Sequence, residues 1–294
     1  MIPFLHLGPL TIPTFGLMVA IGLLVAAYIL QADFNRRRQH LDAFRARQSG
    51  DEGFLRRFVR QSHNDEGFLI IGIAGIAGLL GAKIYHALQD PSTWKAELFS
   101  RYGFAWFGGF LGGFLALVYL ARLFGIPMLE FMDLCSPAAS VGYAIGRIGC
   151  LLSGDGDYGI PTMLPWGMSF PWPATVPTTG PWDPQGHSGV CNKFGLPENC
   201  TVHPTPIYEF LIWLLIAAVL WQIGKKTLSG EAPGKIFCAY LILTGVARFL
   251  IEFIRINPRS FFGMSNAQTA SLVSIAVGIL VFLSIRNRFR TIGD

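Results

Sequence analysis

The sequence predicts an all-α membrane protein: about seven transmembrane helices with a small extracytoplasmic head. Three observations carry this. Of 294 residues, 52% are hydrophobic and 14% charged, whereas a soluble domain carries roughly 25% charged residues. The mean hydropathy is +0.45. Mostly apolar segments of about 18 residues or more, long enough to cross a bilayer, recur along the chain. The basic residues behind the net charge of +5 lie mainly in loops between those segments. That distribution follows the positive-inside rule and argues against nucleic acid as a partner.

Spans are expected near 12–30, 69–89, 104–124, 131–152, 206–223, 235–254 and 268–285, all in one polytopic domain covering 1–294. The first run has no basic residues before it and no small-residue cleavage site, so it reads as a span and not as a cleaved signal peptide. An odd number of spans puts the termini on opposite sides. Arg36, Arg37, Arg38, Arg45, Arg47, Arg56, Arg57 and Arg60 crowd the first loop. Lys225, Lys226 and Lys235 lie between the fifth and sixth spans, and Arg286, Arg288 and Arg290 follow the seventh. All of these fall on one side, read as cytoplasmic, which leaves the N-terminus outside. Residues 31–68 then form a cytoplasmic insertion, either solvated or carrying a short surface helix against anionic lipid.

Residues 153–205 form the extracytoplasmic head. They are rich in Pro and Gly and include Trp166, Trp172 and Trp182, which suit the headgroup region. Short strands or irregular structure are expected there. Of five cysteines, only Cys191 and Cys200 share a polar loop, and they are a plausible pair provided that loop is extracytoplasmic.

The polar residues inside the spans are the candidates for chemistry. Arg147 sits in the apolar part of the stretch Gly146–Gly159, which ends in a glycine-rich turn. A charge at membrane depth is costly, faces a protein interior by default and marks a site, although an arginine near a helix end can also snorkel to the headgroups. Phe104–Gly113 holds Gly108, Gly109, Gly112 and Gly113, a density that admits either a neighbouring helix or a lipid chain. Asp133 reads as a helix cap. Glu209, just inside the fifth span after His203-Pro204-Thr205-Pro206-Ile207-Tyr208, requires a cationic partner. Arg248, Glu252 and Arg255 recur at i, i+4 and i+7 and so share one helix face. That face either neutralises itself through an Arg248–Glu252 pair or joins Arg147 in a net positive pocket suited to phosphate.

Taken in order, these residues resemble the bacterial phosphatidylglycerol–prolipoprotein diacylglyceryl transferases. The likeness runs through Phe15-Gly16-Leu17-Met18, Gly81-Ala82-Lys83-Ile84-Tyr85, Phe107–Gly112, Asp133 to Gly159, His203–Glu209, Ala247–Arg255 and Gly263-Met264-Ser265. The resemblance implies an enzyme of the bacterial inner membrane. It would move a diacylglyceryl group from phosphatidylglycerol to the lipobox cysteine thiol of a preprolipoprotein, the first step of lipoprotein maturation. Neither metal nor cofactor is implied. It marks Arg147 and Arg248 as catalytic. Arg147, Arg248, Glu252, Glu209, Tyr208, Gly108, Gly109, Gly154 and Arg255 are then the expected substrate-binding positions. The chain departs from the family pattern at Phe15, where a tyrosine is expected, at Phe107, where other members carry histidine or tyrosine, and at Cys150, where asparagine is usual. Asp155, Asp157 and His203 are left as candidate general bases. A non-catalytic lipid- or lipoprotein-binding paralogue is the alternative. A transporter finds no support in an inverted repeat or paired broken helices.

Overall fold

Long apolar runs leave the backbone one way to satisfy its own hydrogen bonds in lipid, and the chain takes it. The computed structural model describes residues 2–46, 65–89, 105–154, 158–169, 191, 194, 196, 200–226 and 233–293. Seven long helices occur among them: α1 (Thr14–Ala46), α2 (Glu66–Gln89), α3 (Trp106–Phe124), α4 (Met128–Ser153), α5 (Thr205–Lys226), α6 (Lys235–Ile251) and α7 (Asn266–Gly293). Six are long and apolar enough to cross a membrane; α4, diluted by Pro137, its serines and glycines and by Arg147, falls short of that composition. The fold is thus an all-α membrane protein with little sheet.

The chain forms two compact units. The first comprises Leu23–Ala138 and Lys225–Pro233. Here α2 and α3 pack through small residues. A Cβ added at Gly81 would collide with the Gly108 carbonyl oxygen, and one at Gly112 with that of Ala77. One at Gly109 would meet the Gly78 oxygen at 3.4 Å. This is the close backbone approach that small residues four apart permit. Gly125, left-handed at φ 66°, ends α3, and Pro127 follows in the linker to α4.

Two expectations need correction in this unit. The insertion expected from residue 31 is helical through Ala46, with Gln31, Asp33, Phe34, Arg37 and Leu41 buried. Its charges satisfy each other instead of facing water: Arg36 and Arg37 donate to Asp33 Oδ1 at 2.6 and 3.0 Å. Arg38 pairs with Glu66 at 3.2 Å, and Arg37 with Glu130 at 3.6 Å. Gln31 Oε1 accepts the Gly67 N–H at 2.7 Å, so α1 satisfies one of the open donors at the start of α2. Residues 47–64 of the expected insertion lie outside the described residues. Asp133 does not cap a helix, because α4 begins at Met128 and its first turn carries Glu130 instead; Asp133 is buried within the helix.

The second unit comprises Met1–Gly22, Ala139–Gly224 and Gly234–Asp294. An antiparallel hairpin, β1 (Phe4–Leu7) and β2 (Leu10–Pro13), precedes α1. It turns at Gly8-Pro9, with Gly8 at φ 62°. The Ile2 N–H donates to the Leu152 carbonyl at 3.0 Å, tying the hairpin to the end of α4. Helices α6 and α7 pack through Gly245 and Gly278, where an added Cβ would meet Ile275 Cγ1 at 2.8 Å and Ile242 Cγ1 at 2.9 Å. Between these helices, β3 (Arg259–Phe261) and β4 (Met264–Ser265) form a second small antiparallel pair. Ser265 and Gln268 form a reciprocal cap on α7: the Gln268 N–H donates to Ser265 Oγ at 3.2 Å, and the Ser265 N–H to Gln268 Oε1 at 3.0 Å.

The described part of the expected head is irregular with single bridges: Gly159 to Arg255, and both Pro161 and Met168 to Val202. Tyr158 and Val202 form its small core, with Cys200 and Ile256 packed on it. Cys191 and Cys200 are disulfide-bonded. Asp155, Asp157, Trp172 and Trp182 lie outside the described residues.

Candidate active site

Five charged side chains converge within the second unit. Arg147 comes from α4, Glu209 from the first turns of α5, Arg248 from the last turn of α6, and Glu252 from the 3-10 turn Glu252–Ile254. Arg255 follows in extended conformation at φ −86°, ψ 157°. The expectation that Arg248, Glu252 and Arg255 share one regular helix face therefore needs correction, because α6 stops at Ile251. Pro258 bars the helix from resuming beyond this break, since it lacks an N–H and drives its predecessor toward extended backbone.

Glu209 is the hub. Its carboxylate pairs with Arg147 through one oxygen and with Arg248 through the other. Arg255 Nη1 lies 3.5 Å from Glu209 Oε2. Glu252 Oε2 lies 3.1 Å from Arg248 Nη2 and 3.6 Å from Arg255 Nε. Both carboxylate side chains are fully buried, and those of Arg147 and Arg255 are 8% and 5% exposed. Carboxylates so placed are tolerated because each faces two or more guanidinium groups. Arg248 differs: its side chain is 22% exposed while Glu209 and Glu252 hold two of its nitrogens. A partly exposed arginine held by two carboxylates has the chemistry to contact an anion.

Around this hub, Arg147 Nη1–H donates to Cys150 Sγ at 3.3 Å. Tyr143 stacks on Trp213 with ring centroids 4.6 Å apart and turns its hydroxyl toward Glu209 Oε1 at 3.5 Å. Tyr208 points into a different group: Trp166 Nε1–H donates to its hydroxyl at 2.8 Å, and His203 Nδ1 lies 3.2 Å from the same oxygen. Gly154 ends α4 in the left-handed region at φ 68°, its N–H donating to the Cys150 carbonyl at 3.0 Å. Phe15 packs on α4: its Cδ2 would lie 3.2 Å from a Cβ built on Gly149. Gly108 and Gly109 belong to the other unit, in the α2–α3 contact described above.

Of the residues predicted from sequence, the structure brings together Arg147, Glu209, Arg248, Glu252 and Arg255. Sequence reading missed two participants. Tyr143 lies four positions before Arg147 on one helix face, a spacing that could have marked it. Asn257 donates from Nδ2 to Glu252 Oε1 at 2.6 Å. No pattern in the sequence announces it, since the bond depends on the break after Ile251.

Helices suited to a membrane and a buried cluster of arginines and carboxylates define a polytopic membrane protein with a charged interior site. Comparison with known proteins narrows this. Residues 3–284 match the profile of the prolipoprotein diacylglyceryl transferases, and the chain belongs to that family. It is 31% identical over 301 residues to the phosphatidylglycerol–prolipoprotein diacylglyceryl transferase of Methylibium petroleiphilum, covering 95% of this chain and 94% of the relative. It is 30% identical over 298 residues to that of Polaromonas naphthalenivorans, covering 97% and 94%. With that of Clostridium tetani it shares 29% over 274 residues, 91% of each chain.

Proposed function

We propose that this protein transfers the diacylglyceryl group of phosphatidylglycerol to the lipobox cysteine thiol of preprolipoproteins in the bacterial inner membrane. The observation that carries the reading is Arg248, held at two nitrogens by buried carboxylates while its side chain stays 22% exposed. In the reaction the substrate thiolate attacks the glycerol carbon bound to the phosphate oxygen. The S–C bond forms, the C–O bond breaks, and glycerol phosphate leaves with the electron pair. Negative charge grows on the leaving phosphate, and fixed guanidinium groups in a water-poor site stabilise it most where it grows. Arg147 and Arg248 take this role, with Glu209 setting their spacing. A thiol is already a few per cent ionised near neutral pH and strongly nucleophilic, so its proton can leave to solvent before attack. Cys150, buried against Arg147, is not the nucleophile in this scheme.

The orientation that goes with this function has the N-terminus outside, the C-terminus in the cytoplasm and residues 153–205 as an extracytoplasmic head. The Cys191–Cys200 disulfide supports it, because such bonds persist in oxidising compartments.

The test is transfer of radiolabelled diacylglyceryl from phosphatidylglycerol to a lipobox peptide by the purified protein in vesicles. Labelled peptide is the expected result. Its absence, with lipid binding retained, would replace this reading with the non-catalytic lipid-binding paralogue.

A further inference from the structure

We propose that Asn257 is a positioning residue for the phosphate-binding arginine: its side-chain amide fixes Glu252, and Glu252 in turn fixes Arg248. The inference rests on the transferase reading for its effect on rate, and on geometry for the contact itself.

Glu252 is 1% exposed, so both of its oxygens need donors. Oε2 faces Arg248 Nη2 at 3.1 Å and Arg255 Nε at 3.6 Å. Oε1 accepts the Asn257 Nδ2–H at 2.6 Å. A carboxylate held by one oxygen alone can rotate about its last bond, whereas one held at both cannot. Asn257 thus turns Oε2 toward Arg248 and settles how that guanidinium is held.

The amide is delivered by well-anchored backbone. The Arg255 N–H donates to the Glu252 carbonyl at 3.3 Å, and the Ile160 N–H to the Ile254 carbonyl at 2.8 Å. Gly159 bridges to Arg255, and a Cβ on Gly159 would strike the Ile254 oxygen at 2.6 Å. Ile256 packs on the Tyr158–Val202 core. Asparagine in a turn commonly bonds nearby backbone, but this one spends its donor on a buried side chain. The choice of a neutral donor also matters. A lysine or arginine at 257 would add a cation competing for Glu252, while an amide orients the carboxylate and leaves the site's charge unchanged.

Two variants test this. Asn257→Ala removes the donor. Asn257→Asp keeps the shape but donates only when the introduced carboxyl is protonated. The charged groups bearing on that carboxyl are Glu252, Arg248 and Arg255, with Glu209 and Arg147 behind them from α5 and α4. A hydrogen bond to a charged group is worth a factor of about 10 to 100, so N257A should lose about that much kcat/KM in vesicle transfer. N257D should fall below N257A at neutral pH and rise relative to it as pH falls. A packing role would give the two variants a constant ratio across pH, and that result would overturn the proposal. So would a native rate in N257A.

Melting in detergent is read on the same proteins. N257D should melt below N257A at neutral pH and converge with it in acid, because protonation removes the carboxylate repulsion and restores the donor. If the native protein transfers no lipid, the transferase reading fails, and the melting comparison alone still decides the Asn257–Glu252 contact. Parallel melting profiles would overturn it.

Discussion

Arg147 and Arg248 share the Glu209 carboxylate, so their substitutions separate charge from geometry. Removing one fixed donor from a developing oxyanion typically costs about 10²- to 10³-fold in rate, and Arg147→Ala and Arg248→Ala should each lose at least that in vesicle transfer. Arg248→Lys should recover only part of the loss, because a point charge cannot hold Glu209 and Glu252 on separate nitrogens as the guanidinium fork does. Phe107→Ala is the control: its side chain is 67% exposed, and the effect should be small. Equal, small losses in Arg147→Ala and Phe107→Ala would sink the arginine-centred mechanism. Glu209→Ala should act on stability as well as rate. Removing one partner of a buried pair costs about 3–5 kcal/mol, and this partner serves three arginines. The variant should therefore melt well below the native protein in detergent, by more than Arg248→Ala, whose partly exposed charge pairs with carboxylates that keep other arginines.

The helices show how far local chemistry alone could be read. Apolar runs pointed to all seven, although α4 falls short of a span's composition; polar continuations were missed, because they become helical only through partners distant in sequence. The first helix runs past residue 30 since Asp33, Arg36 and Arg37 pair along it and Gln31 and Arg38 reach Glu66. At the site, Arg147, Glu209 and Arg248 stood out because charge in an apolar run is conspicuous. Asn257 did not, because an asparagine in a polar loop is ordinary until Glu252 is seen beneath it. A pair of glycines in α2 tests the packing argument. At Gly67 a Cβ would meet the Ala27 carbonyl oxygen at 2.7 Å and Gln31 Cα at 2.8 Å, whereas at Gly72 nothing lies within 4 Å. Gly67→Ala should destabilise by about 1–3 kcal/mol through overpacking. Gly72→Ala should be neutral or stabilising by up to about 1 kcal/mol, from helix propensity. Melting both variants in the same detergent checks the contrast, and two unchanged values would deny the α1–α2 contact.

Orientation in the membrane decides from which side a substrate thiol can reach Arg248, and two independent features bear on it. The Cys191–Cys200 disulfide precedes α5, and Lys225 and Lys226 end that helix. The 22 residues of α5 extend about 33 Å, enough to cross a hydrocarbon core of about 30 Å. When α5 crosses the bilayer, its two ends lie on opposite sides. Oxidation favours the outside for the cysteine end, and basic residues favour the inside for the lysine end; the assignments agree although they rest on different physics. Cysteine labelling in intact spheroplasts checks the result, with a low background because Cys135, Cys150 and Cys238 are buried. A membrane-impermeant maleimide should label Cys200, which is partly exposed, only after an impermeant reductant is added outside. A Lys225→Cys variant, with that position exposed at the other end of α5, should be labelled only after permeabilisation. Labelling of K225C in intact cells would reverse the orientation and put the thiol's approach on the cytoplasmic side, where a secreted substrate would meet the enzyme before translocation instead of after it.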